Sequence, residues 1–187
     1  YVESKEALFD LCVRFADSPD SVDQGMQLPV KTPKTGTTLA YVEQRIASHP
    51  EMARLAEILT SESLSEPRAG LESVVRILYR MLSENRRAIK LVDVAAIDHP
   101  ELSGKWFTQA RGGVYALLVP YIERRTKGGV FLPLIDVGVS ARNLLETCVF
   151  WAVHRHWDPS PQIFDEDRVE DAVVQWVVRA FLSESGR

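Results

Sequence analysis

Cysteine is nearly absent: the 187 residues hold two, Cys12 and Cys148, far apart in the chain. That excludes a disulfide framework and the paired spacing of a zinc site, and both read as buried thiols in a reducing compartment. An excess of basic charge is missing too, with 22 Lys and Arg against 26 Asp and Glu for a net charge of −4. A free-standing nucleic-acid binder needs the opposite balance to neutralise phosphates. Long apolar runs are lacking. The stretch Val114 to Ile122 falls well short of the roughly 18 residues of a membrane span, and no signal-peptide pattern opens the chain. No membrane partner is expected, and the cytoplasm is the default compartment. There is no HExxH, no Glu-x-x-His pair, no P-loop and no GxGxxG, so no metal and no cofactor is implied and the case for an enzyme starts weak. His154 and His156 stand two apart, which on a helix turns them to nearly opposite sides, so they read as a polar helix end.

What is present is helical periodicity. Hydrophobic residues make up 45% and charged residues 26%, ordinary for a chain that folds around a core. Apolar spacings of three and four recur while strict alternation is scarce, which predicts an all-α fold. Ser4 is a candidate N-cap for a helix ending near Asp17, with Leu8, Leu11, Cys12 and Phe15 on one face. Ser18 to Thr38 reads as a surface loop with three prolines and two glycines. Leu39 to Ser48 and Pro50 to Ser63 read as helices, the second opened by His49-Pro50-Glu51, and the same triplet at His99 marks another start. Leu71 to Glu84 carries the broad apolar stripe of a core helix, and Ala88 to Ala96 is a shorter segment. Glu101 to Lys127 is continuous except for Gly112, Gly113 and Pro120. Pro120 removes a hydrogen bond to the Ala116 carbonyl, so a bend is expected. Arg124, Arg125 and Lys127 suit the negative pole of that helix, and Gly128-Gly129 its left-handed cap.

The two closing segments, Asp136 to Trp157 and Asp165 to Leu182, are apolar over more than half their circumference. A terminal helix of this kind needs cover on two sides, which points to self-association; a central position in a monomer is the alternative. The expected dimer face comprises Leu144, Cys148, Trp151, Ala152 and Arg155 on the first, and Val169, Val173, Trp176, Val177 and Phe181 on the second. Asp165 is a cap, with Phe164 placed to staple onto Val169.

Among candidate functional residues, Glu146 sits among Leu145, Cys148, Phe150 and Trp151. It reads either as an acid or base in apolar surroundings or as the partner of Arg142 one turn back. Arg111-Gly112-Gly113, beside Tyr115 and after Trp106-Phe107, offers a cation, a close-approach backbone and aromatic walls, as a pocket for a small, largely apolar ligand with one polar or anionic group requires. The same residues also serve as ordinary helix packing. The expected ligand-binding set is Tyr79, Trp106, Arg111, Tyr115, Asn143, Glu146 and Phe150. A small enzyme or carrier using Glu146 or Arg111 is the alternative function.

The opening YVESKEALFDLC resembles the junction that follows the recognition helix in bacterial regulators of the tetracycline-repressor (TetR) family. The resemblance implies that residues 1–4 are the end of a helix-turn-helix DNA-binding domain whose remainder precedes Tyr1, and that residues 5–187 are a ligand-binding and dimerisation domain. It places Tyr1 and Lys5 at the DNA backbone and Ser4 at the N-cap. The rest of the chain is similar to the family in layout, several core helices around a cavity followed by a long dimerising pair. The function so implied is a homodimeric repressor that binds operator DNA through its N-terminal domain and answers to a small-molecule effector.

Overall fold

The computed structural model describes residues 1–17, 27–95, 104, 108, 111–160 and 162–182. All the regular elements among them are helices: α1 (Lys5–Asp17), α2 (Thr37–Ala47), α3 (Pro50–Thr60), α4 (Pro67–Glu84), α5 (Arg86–Ala95), α6 (Gly112–Lys127), α7 (Val137–Ala152), a 3-10 turn (His154–Trp157) and α8 (Glu166–Phe181). The all-α expectation holds. The turn beginning at Ser18, the helix start at His99, and Trp106 with Phe107 lie outside the described residues. No described helix is long and apolar enough to cross a membrane.

The caps expected at Ser4 and Asp165 form, and Asp136 supplies a third. Ser4 Oγ accepts from the Ala7 N–H at 3.1 Å, Asp136 Oδ1 from Val139 at 2.8 Å and Asp165 Oδ1 from Arg168 at 3.0 Å, each satisfying a donor that the first turn leaves open. Pro50 opens α3, and Pro120 is carried inside α6. Gly129, at φ +70°, turns the chain out of α6 while the Val130 N–H reaches back 2.9 Å to the Arg125 carbonyl.

The chain divides into two compact units, residues 1–49 with 85–110 and residues 50–84 with 111–187. In the first, α1 packs on α5. Val13, Val42 and Val92 form its small core, flanked by Phe9, Leu39, Tyr41 and Leu91. The face expected to be buried on α1 is only partly so. Leu8 and Phe15 stay half-exposed, because Ala7, Phe9 and Val13 supply the inward contacts. Leu11, Cys12, Phe15 and Ala16 instead line an open apolar groove with Arg87 and Leu91 of α5.

In the second unit α4 is central, packing on α3, α7 and α8, while α6 packs on α3 and α7. Leu71, Val74, Val75 and Leu78 of α4 meet the apolar faces of its neighbours. Tyr121, Phe131 and Phe181 form a chain of rings, with centroids 6.0 and 5.4 Å apart. Along the α4–α8 seam, Arg76 pairs with Glu170 at 2.8 Å and Asp171 at 2.7 Å, and Arg80 reaches the same buried Glu170 at 2.9 Å.

The two thiols separate on this basis. Cys148 is fully buried and burial pushes its pKa up to about 12, whereas Cys12 is partly exposed in the groove, against the expectation that both are interior. Since the thiolate is the nucleophile, a disulfide reagent at neutral pH should titrate one thiol per folded chain and two after denaturation. Peptide mapping should place the first label on Cys12; early labelling of Cys148 would contradict the packing of α7.

Candidate functional site

Helix α7 sorts its residues into two halves. Ala141, Leu144, Leu145, Cys148, Val149 and Ala152 turn inward, and the 3.6-residue period leaves Arg142, Asn143, Glu146, Thr147 and Phe150 on the outer half. Against this half lies the start of α6. Arg111, in helical conformation just before Gly112, donates through Nη2 to Glu146 Oε2, and Arg142 stands 2.6 Å from Glu146 Oε1. Tyr115, one turn after Arg111, brings its hydroxyl to the first turn of α7: a Cβ at Gly138 would lie 3.0 Å from that oxygen. A side chain at Gly138 would press on that hydroxyl, so the glycine favours the close approach. With Tyr115 beside Gly138 and Arg111 beside Glu146, the two helices run antiparallel.

Two guanidiniums meet on one carboxylate. Arg111 is mostly buried and Glu146 about one-third exposed, so the cluster opens to solvent and is reinforced by partial desolvation. Its chemistry suits exchange with an anionic or strongly polar group, which can displace Glu146 from one arginine.

Of the expected ligand-binding set, the fold therefore brings together Arg111, Tyr115 and Glu146. Asn143 and Phe150 flank Glu146 on the outer half of α7, Phe150 resting edge-on against Trp151 with centroids 5.5 Å apart. Tyr79 is elsewhere. It is buried on α4, its hydroxyl 3.5 Å from Glu166 of α8, and burial foremost raises its pKa. Trp106 lies outside the described residues. Arg142 belongs to the cluster although it reads from sequence only as a helix-surface partner for Glu146.

The expected dimer face divides differently. Leu144, Cys148 and Ala152 of α7, with Val169, Val173, Val177 and Phe181 of α8, are buried in the unit's own core, so they are not available to a second chain. Arg155 is also turned inward, its Nε donating to the Trp151 carbonyl at 2.7 Å and its Nη2 lying 2.6 Å from Glu166. Trp151 is half-buried. Trp176 alone of that set is well exposed, at 58%, in a row with exposed Ala172 and Ala180; Val139 and Phe150 (44%) are its exposed apolar counterparts on α7. The physical reason is a rotation of α8: Val174 and Val178 take inward places, which turns Ala172, Trp176 and Ala180 out. Val153 is likewise buried. Phe164 sits edge-on to Trp151, centroids 6.1 Å apart.

Tyr1 and Lys5 are exposed on the first unit. The segment around them is tied to residues 30–32. Val30 N–H donates to the Tyr1 carbonyl at 2.9 Å, Glu3 N–H to the Val30 carbonyl at 3.0 Å, and the Glu3 carboxylate takes Lys31 at 2.7 Å, which lowers its pKa. Among the described residues no three His, Cys, Asp or Glu side chains gather as a metal site would need.

No protein-family model matches the chain, and comparison with curated proteins and with solved structures yields no match.

Proposed function

We propose that the chain is the ligand-binding and dimerisation part of a TetR-like transcriptional regulator, a homodimeric repressor released from operator DNA by a small, largely apolar effector bearing an anionic group. The observation that carries this reading is the exposed apolar row on helices whose inner faces are already fully used. Trp176, Ala172 and Ala180 on α8, and Val139 and Phe150 on α7, face solvent, although the core behind them is complete. Exposed apolar side chains of this kind are favourable to cover, and a second copy covers them symmetrically.

The Arg111, Arg142 and Glu146 cluster supplies the ligand site in this reading, with Tyr115, Asn143 and Phe150 around it. An effector anion that competes with Glu146 for Arg111 loosens the tie between α6 and α7, and α7 also bears part of the partner-facing surface. Ligand and subunit arrangement are coupled only if the effector binds one arrangement more tightly. Operator DNA is read, in this proposal, by a helix-turn-helix preceding Tyr1.

Native mass spectrometry of the chain tests both halves together. The expected result is a species of twice the 21.1 kDa chain mass, retaining a small anionic molecule that Arg111→Ala releases. With the N-terminal reader attached, effector should lower operator affinity about 10-fold to 100-fold. A monomer without retained ligand, or operator affinity indifferent to every compound that binds the cluster, rejects the reading.

A further inference from the structure

The final turns of α6 gather buried polar atoms that serve no interaction within the unit. Arg125 is only 4% exposed, and its guanidinium lies over the Tyr121 ring with Cζ 3.8 Å from the centroid. Its Nη2 donates to the Ser63 carbonyl at 3.1 Å, whereas Nε and Nη1 are buried with no acceptor among the described residues. Beside it Arg124 gives Nη2 to the Leu59 carbonyl at 2.6 Å and leaves Nε buried in the same condition. The Tyr121 hydroxyl, on a fully buried side chain, also has no partner among the described residues. Gly70 of α4 faces it, where a Cβ would stand 3.6 Å from the oxygen.

These atoms share a sign. Both guanidiniums are donors only, and the phenol can donate. The carbonyls at hand, Leu59 and Ser63, already accept from the Nη2 atoms. Burial lowers the Arg125 pKa, Arg124 pushes it the same way, and among its neighbours Tyr121 opposes them; both arginines in turn act on the Tyr121 phenol. Among the described residues no carboxylate enters this balance. Buried positive charge without a counterion is strongly destabilising, and what would satisfy several donors of like charge is an acceptor carrying negative charge.

We propose that Tyr121, Arg124 and Arg125 form a buried site for a small anion, a halide or the carboxylate of a small molecule, beside the C-terminal end of α3. The site is separate from the Arg111 cluster, about 21 Å away along α6 at 1.5 Å per residue, and it stands whether or not the chain is a regulator. Burial limits the occupant to a compact group, and the contact with the Tyr121 ring helps hold the Arg125 guanidinium in place.

Thermal unfolding of the whole chain tests it, in chloride or in acetate, with ionic strength held constant by gluconate, which is too large to be enclosed. The expected result is a midpoint that rises and saturates with one of the two small anions, the better one identifying the occupant as spherical or planar. Tyr121→Phe keeps the ring beneath the guanidinium and should raise the half-saturating concentration about tenfold, while Arg125→Met should abolish the rise. Should Arg125→Met not fold, Tyr121→Phe decides alone. Equal midpoints in all three anions, or a rise that Tyr121→Phe leaves unshifted, overturns the proposal.

Discussion

Leu144→Ala should lower the free energy of unfolding by about 3 kcal/mol and leave the dissociation constant of the proposed dimer unchanged. Leu144 reads from the sequence as a partner-facing residue of a dimerising helix. In the fold it is 1% exposed, on the inward half of α7. Truncation of a leucine there removes the transfer energy of the lost carbons and leaves a cavity that close-packed neighbours fill only in part, and such changes cost roughly 2–5 kcal/mol. Denaturant unfolding at low and high protein concentration measures the first quantity, and sedimentation equilibrium of the folded variant the second. A variant of near-normal stability that dissociates more readily would return Leu144 to the subunit interface and contradict the rotation of these helices described above.

Trp176→Glu should give the converse pattern, a folded chain whose self-association is weaker by at least about a hundredfold, or roughly 3 kcal/mol. Trp176 is 58% exposed in the single chain, so its indole contributes little to the unit's own core. Its stability should therefore stay within about 0.5 kcal/mol of the parent when corrected for dissociation. Across a symmetric interface the residue counts twice, and glutamate introduces a pair of like charges that would have to be desolvated together. The measurement is again sedimentation, with circular dichroism to verify the fold. Undiminished association in this variant would remove the exposed α7–α8 row from the proposed partner surface and leave the homodimer without its main support.

The two substitutions bracket what the amino-acid pattern could and could not convey. Local signals were legible. The capping residues Ser4 and Asp165, the proline opening α3 and the glycine closing α6 act within three or four residues of themselves. Their chemistry is complete in a short stretch of chain. The pairing of Glu146 with Arg142 is of the same kind, one helical turn apart. The presence of a wide apolar stripe on α7 and α8 was equally plain.

Which half of such a stripe faces the core was not, because a helix apolar over more than half its circumference satisfies the period at several rotations. The neighbours choose among them. Packing of α8 against α4, secured by Arg76 and Arg80 on Glu170, turns Val174 and Val178 in and Trp176 out. The α1 stripe fails for the same reason, with Val13 chosen over Leu8 by contacts with Val42 and Val92.

By itself, then, the sequence determined that the chain is all-helical, that Ser4, Pro50 and Asp165 open helices, and that its last two carry more apolar surface than one side can use. The helix starting at Leu71 in the periodicity, however, begins at Pro67, and the one read to Trp157 ends at Ala152. Only the tertiary structure decided that Arg125 folds back under cover onto Tyr121, although its place near the end of α6 suits a solvated charge. The same holds for the meeting of Arg111 and Glu146, 35 residues apart. Caps and periods are set by interactions between near neighbours along the chain, whereas a helix's rotation and its distant ion pairs minimise the energy of the whole packed unit.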